Sequence, residues 1–231
     1  NEYTRGVMNK PEQDPEGETL SEIPLFPLGM VLFPGAPLPL HIFEERYKAM
    51  IGDCLERNEP FGVVLIKEGQ EVGAPAVPFD IGTTARVIRS EILAEGRMNI
   101  VTKGERRFEV IEITQQAPYL VGRVRFLEEP VGEGIDELLS ELNEEFTALV
   151  KGLTALAGGY SSDVTIPEDP VKLSYTIAAS LNLQGHVRQA LLESPSASAR
   201  LAHLIPLIKR GNHDLKEEIA KRNPYKGHRL N

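Results

Sequence analysis

The stretch IPLFPLGMVLFPGAPLPLHIFEERYKAMI, residues 23–51, decides how this chain is read. Five prolines and two glycines punctuate a run that is otherwise almost wholly apolar, and a charged amphipathic segment follows at once. Residues 23–40 come nearest to a membrane span. Pro24, Pro27, Pro34, Pro37 and Pro39 exclude one, because each would break a lipid-buried helix. Other apolar runs are interrupted well short of the ~18 residues a span requires. The run is therefore a way of folding. Prolines preset extended backbone and belong at strand starts, edges and turns, and Gly29 and Gly35 allow tight reversals. Phe26, Leu28, Leu32, Phe33, Ile42 and Phe43 can then fill a core, while Tyr47, Met50, Ile51, Cys54 and Leu55 form the inward stripe of a helix.

Around this stretch the composition is that of an ordinary globular chain, 41% hydrophobic and 26% charged over 231 residues, enough for one large domain or two modest ones. Residues 1–22 are acidic, lack a hydrophobic core and read as a flexible lead-in, not a signal peptide. One cysteine, Cys54, rules out an internal disulfide framework, and cytoplasm is the expected compartment. A net charge of −9 disfavours broad nucleic-acid binding. Residues 209–231 run against that trend, with seven Lys/Arg against three Asp/Glu. The expected division is a β-rich part over 23–130, a helical part over 131–222 and a basic tail over 223–231.

The two parts differ in period. Residues 61–68 form a compact apolar strand, and residues 83–128 alternate strand-like pieces with turn signals at Ala94–Gly96 and Lys103–Gly104. Short strands at this spacing suggest a closed or half-closed barrel rather than a βαβ sheet. After Pro130, Ile135, Leu138, Leu139, Leu142, Phe146, Leu149, Val150, Leu153 and Leu156 mark one face of a long helix, ended by Gly158–Gly159. Asp169 and Pro170 suit the cap and first position of a second helix, HVRQALLES supplies a third, and Pro206 is expected to kink or divide the last.

Chemistry is sparse. There is no G-x-x-x-x-G-K-[ST] phosphate loop, no G-x-G-x-x-G turn, no H-E-x-x-H and no G-x-S-x-G. His41, His186, His203, His213 and His228 lack metal-ligand spacing, so no metal and no cofactor is expected. Cys54 reads as a small buried hydrophobe, and His41 as a satisfied structural histidine.

Three elements in order, PLFPL (24–28), LFPG (32–35) and PLHIFEERYKAMI (39–51), resemble the opening of the LON substrate-binding domain, the N-terminal domain of the ATP-dependent Lon proteases. VTKGERRFEV (101–110) is similar to a hairpin of that family, and the segment from Val171 onward to its helical half. The resemblance covers residues 23–210 and implies an α+β fold, an N-terminal PUA-like β-barrel followed by a C-terminal helical bundle. It also implies recognition of unfolded or tagged proteins and peptides, with a separate protease or chaperone as a partner. Full Lon proteases add an AAA+ ATPase and a Ser-Lys protease domain. No phosphate loop is present here, so the expectation is a stand-alone, non-enzymatic bacterial or plastid binding module, an adaptor in protein quality control. Substrate would meet the groove between barrel and bundle, or exposed aromatics among Phe33, Phe43 and Tyr47, most of which are expected in the core. RNA binding is the alternative, since PUA-like barrels also serve RNA. It would use Arg86, Arg89, Arg123 and Arg125, with Arg106, Arg107 and the tail nearby.

Overall fold

In a computed structural model, which describes residues 12–13, 19–69, 76–156 and 167–222, the opening run begins inside strand β2 (Thr19–Leu28), which the short strand β1 (Glu12–Gln13) precedes. β1 pairs antiparallel with the start of β2. From Leu25 to Leu28 every residue of β2 is buried, because both faces of the strand meet a core. A strand covered on both faces reads as a continuous apolar run instead of alternating. Its prolines fit the ladders. β2 pairs antiparallel with β7 (Leu120–Phe126) over Leu20–Leu25, and parallel with β4 (Phe61–Glu68) over Leu25–Leu28. Pro24 and Pro27 each lie where only one neighbour runs, so the missing N–H can face the unpaired side.

The remaining strands are β3 (Pro37–Ile42), β5 (Val77–Ile92) and β6 (Met98–Gln115), making a seven-stranded sheet. β4 pairs with β5, β5 with β6, β6 with β7, and β7 with β2, so the pairings return to their start. Ile23, Leu25, Val64, Phe108 and Val124 pack together as one cluster. Gly62 leaves room for the Phe108 ring, whose Cζ would stand only 2.6 Å from a Cβ at that position. A second cluster forms where helix α1 (Glu45–Arg57) lays Tyr47, Met50, Ile51 and Cys54 against Phe26, Phe61, Met98 and Ile100. Asn58, in the left-handed conformation at φ 54°, ends α1 with its N–H toward the Cys54 and Leu55 carbonyls.

Two compact units result, one of residues 1–128 with 179–193, the other of residues 129–178 with 194–231. The first unit includes helix α4 (Gly185–Glu193), which sequence periodicity groups with the other helices. The buried Gln189 amide donates to the Ile81 carbonyl at 3.0 Å, and the buried Arg107 guanidinium donates to the Leu192 carbonyl at 2.6 Å and the Glu128 carbonyl at 3.2 Å. The second unit holds α2 (Ile135–Leu156), most of α3 (Pro170–Ser180) and α5 (Ala197–Arg222). There Arg200, fully buried, donates to the Ser174 hydroxyl and the Tyr175 hydroxyl oxygen, each at 2.7 Å, and Tyr175 donates to the Glu129 carboxylate.

Several expectations are corrected. Thr19–Glu22 are not lead-in but strand, paired with Arg123–Arg125 and neighbours on β7. Lys103–Gly104 is not a turn, nor is Val101–Val110 a hairpin, since β6 runs unbroken from Met98 to Gln115. Glycine stands at 104 because the strand passes so close to the Phe33 carbonyl that a Cβ would collide with it. Of the kink or division expected at Pro206, the division does not occur: Pro206 is exposed within the continuous helix α5. Asp169 caps α3 as expected, its carboxylate accepting the Lys172 N–H at 2.9 Å. The Gly158–Gly159 stop and the basic tail over 223–231 lie outside the described residues.

A candidate protein-interaction surface

The sheet carries a three-stranded ribbon made of β3, the first half of β6 and the second half of β5. Ile42, Met98 and Ile92 stand in one row, and His41, Asn99 and Glu91 in the next. Residues directly opposite in antiparallel strands share a face, so the first row continues from buried Ile42 and Met98 to Ile92, which is 77% exposed. A register shift between Val87 and Arg89 leaves Ile88 as the extra residue of a bulge, 59% exposed. α1 steadies the ribbon at two points. The Arg86 guanidinium donates to the Asn58 carbonyl at 2.7 Å, and Lys48 Nζ donates to the Glu95 carbonyl at 2.7 Å.

Of the aromatics named from sequence, Phe43 alone reaches the surface. It is 50% exposed beside the end of β3, its ring stacked with His41 at 6.0 Å between centroids. His41 is itself exposed, its Nδ1 2.7 Å from Asn99 Oδ1. Phe33 is fully buried, with the Arg188 guanidinium 4.9 Å from its ring centroid. Tyr47 is buried too, 4.0 Å from Phe26 between centroids. Both belong to the interior, because the turn after β2 folds Phe33 under Gly104 and the first turn of α1 points Tyr47 inward. Leu55, assigned to the inward stripe of α1, is exposed instead. Nothing in the sequence sets Ile88 and Ile92 apart. Interleaved with Arg89, Ser90 and Glu91, they read as the inward half of an ordinary amphipathic strand.

The arginines named for nucleic acid are largely committed to glutamates. Arg86 Nε donates to Glu105 at 2.6 Å, a hydrogen bond that holds its guanidinium above its ordinary pKa. Arg125 donates to Glu109 at 2.6 Å and Arg123 to Glu112 at 3.0 Å, both across the β6–β7 ladder. Arg89 is exposed opposite Val101. Cross-strand pairing of this kind stabilises a sheet and cancels the field that would attract phosphates. Cys54 is buried, and its desolvation, reinforced by Asp53, pushes the thiol up to about 12, far from the range of a nucleophile. Among the described residues no cluster of three or more His, Cys, Asp or Glu could hold a metal ion, and no helix is long and apolar enough to cross a membrane.

This fold, a mixed sheet with α1 against it and a helical C-terminal region, is that of Lon N-terminal domains. A solved Lon N-terminal domain protein from Xanthomonas campestris is similar with TM-score 0.61 and 27% identity, over 80% of this chain and 98% of that one. The N-terminal domain of Mycobacterium avium complex Lon protease is similar in fold, with TM-score 0.59 and 20% identity over 84% of this chain and 99% of that one. The chain belongs to the family of the ATP-dependent protease La (LON) substrate-binding domain, whose model matches residues 22–210. Among curated relatives, Lon protease 2 of Myxococcus xanthus is 30% identical over 86% of this chain and 24% of its own length. Lon protease of Parabacteroides distasonis is 30% identical over 86% of this chain and 23% of its own length. The chain thus spans about a quarter of the relatives it matches.

Proposed function

We propose that this chain is a non-catalytic module that binds exposed apolar segments of unfolded proteins, and that it acts as an adaptor in protein quality control. The observation that carries this reading is the placement of Phe43, Ile88 and Ile92 in solvent on a ribbon braced by α1. Apolar side chains on a rigid, partly polar surface suit capture of polypeptide. The family match supports it, since that family is described as substrate-binding. We read the strand pairings that return from β7 to β2 as a PUA-like barrel. RNA gains no support from the glutamate-paired Arg86, Arg123 and Arg125.

The test is a titration of the protein against reduced, carboxymethylated α-lactalbumin and against the same protein in its native form. Saturable binding to the unfolded form alone is expected. Phe43→Ser should weaken it several-fold while leaving the denaturation midpoint in place, because the ring is already half in solvent. Equal binding of native and unfolded protein would remove the reading.

A further inference from the structure

The ribbon has two edges, and they differ. The β4–β5 ladder ends at Phe61 opposite Ala85, while the β5–β6 ladder continues to Ile92 opposite Met98. Beyond Ala85, therefore, β5 has β6 on one side, and among the described residues no backbone hydrogen bond closes the other. Ile88 to Ile92 are all exposed, between the two points where α1 holds the ribbon at Arg86 and Glu95.

β3 forms the opposite edge, with the sequence PLPLHI. In an antiparallel pair the N–H and C=O of one residue point to the same side, and residues two apart share that side. Pro37 and Pro39 therefore point together, and they face outward if β3 bonds to β6 through residues that keep their N–H. Prolines on an edge are a recognised block to strand addition. The β5 edge has none between Arg86 and Ile92. One edge is closed to a further strand and the other left open.

The open edge also states what it would accept. Unpaired, alternating N–H and C=O groups are matched by one kind of partner, another extended backbone. The bulge at Ile88 confines regular pairing to Arg89–Ile92. Next to Ile92, an incoming residue would extend the apolar row of Ile42 and Met98. Next to Glu91, it would extend the polar row of His41 and Asn99.

We propose that the outer edge of β5 at Arg89–Ile92 receives an extended, proline-free segment with alternating aliphatic and polar residues, added as a strand to the sheet. This rests on the protein-binding reading above and specifies its mode. Affinity would come from main-chain hydrogen bonds, so many sequences would be accepted, with a preference for an aliphatic residue beside Ile92.

Two probes test it on the full chain: a decapeptide of alternating valine and threonine flanked by lysines, and the same peptide N-methylated at two adjacent central residues. Methylation leaves the side chains and removes donors on both sides of the backbone. The methylated peptide should bind about fivefold to thirtyfold more weakly, in line with the loss of one or two hydrogen bonds of ~1 kcal/mol net each. Hydrogen exchange of amides within residues 89–92 should slow when the unmethylated peptide is bound. Equal affinity of the two peptides, or protection confined to other parts of the chain, would overturn strand addition even if carboxymethylated α-lactalbumin still binds. Failure of that unfolded protein to bind at all would overturn the protein-binding reading and this one with it.

Discussion

Leu25 and Phe26, adjacent in sequence, enter different hydrophobic clusters. Leu25 packs with Ile23, Val64, Phe108 and Val124, and Phe26 with Tyr47, Met50, Phe61 and Ile100. One strand thus serves as the wall shared by both, and the run Leu25–Leu28 is apolar because it has no solvent face to spare. We expect Leu25→Ala to destabilise the protein by about 2–5 kcal/mol, since the side chain is fully buried and its neighbours come from three other strands that cannot collapse onto the gap. Urea denaturation followed by circular dichroism measures this. A change within about 0.5 kcal/mol, the usual size for a surface substitution, would contradict that placement.

That double burial marks what the sequence discloses and what it withholds. The proline-punctuated run, the period-two strands and the amphipathic α2 are local patterns, and each is read from spacing. Phe33 and Phe43 look equivalent in sequence, yet one lies under Arg188 and the other in solvent. The difference arises where the chain after β2 crosses β6 at Gly104, a contact between residues some 70 positions apart. Arg86, Arg123 and Arg125 look like a basic face until strand register sets Glu105, Glu112 and Glu109 beside them. The exposure of Ile88 escapes the sequence for the same reason. A bulge shifts the face of every residue beyond it, and alternation alone does not reveal the bulge.

Arg107 fixes α4 to the sheet unit through carbonyls, not carboxylates. Its two guanidinium nitrogens serve Leu192 and Glu128. Lysine would keep the charge but not the planar fork that reaches both acceptors. Arg107→Lys should cost about 1–3 kcal/mol, the penalty of leaving a buried carbonyl unmet. Hydrogen exchange should accelerate across residues 185–193 before it does so across β2. Unchanged exchange in α4 would show that apolar packing of Leu191 and Leu192 suffices to hold it.

Cys54 gives a pH dependence. Its folded pKa, about 12, lies above the value of ~8.5 expected for an unfolded thiol. Between those values the unfolded chain has released the proton that the folded chain retains, so stability must fall as pH rises. The slope approaches about 1.4 kcal/mol per pH unit above ~9, and the contribution is flat below that. Cys54→Ala should remove this part of the alkaline slope, a difference that denaturation of both proteins from pH 7 to 11 would register. Parallel curves would mean that the thiol ionises without unfolding. The same burial predicts that a disulfide reagent at pH 8 labels Cys54 at the rate of global or local opening, with little dependence on reagent concentration.

Among the described glycines of the sheet unit, Gly104 leaves a side chain the least room. Its N–H donates to the Ala36 carbonyl at 2.9 Å, and its carbonyl accepts the Gly35 N–H at 2.8 Å. The turn carrying Phe33 is thereby stitched to the middle of β6. A Cβ would run into the Phe33 carbonyl, which is backbone and cannot step aside like a flexible side chain. Gly104→Ala should therefore destabilise by about 1–3 kcal/mol, the scale of overpacking in a close-packed interior. Alanine at an unhindered glycine would instead stabilise slightly by stiffening the unfolded chain, by about 0.4–1 kcal/mol. The sign alone therefore decides between steric exclusion and open space. Gly52, where nothing lies within 4 Å of the added carbon, is the control: within helix α1, Gly52→Ala should raise stability. If both alanines stabilise, β6 does not press against the Phe33 turn. If Gly104→Ala destabilises, it should also raise the solvent access of Phe33, seen as faster exchange of amides 33–38, while the α1 amides keep their protection.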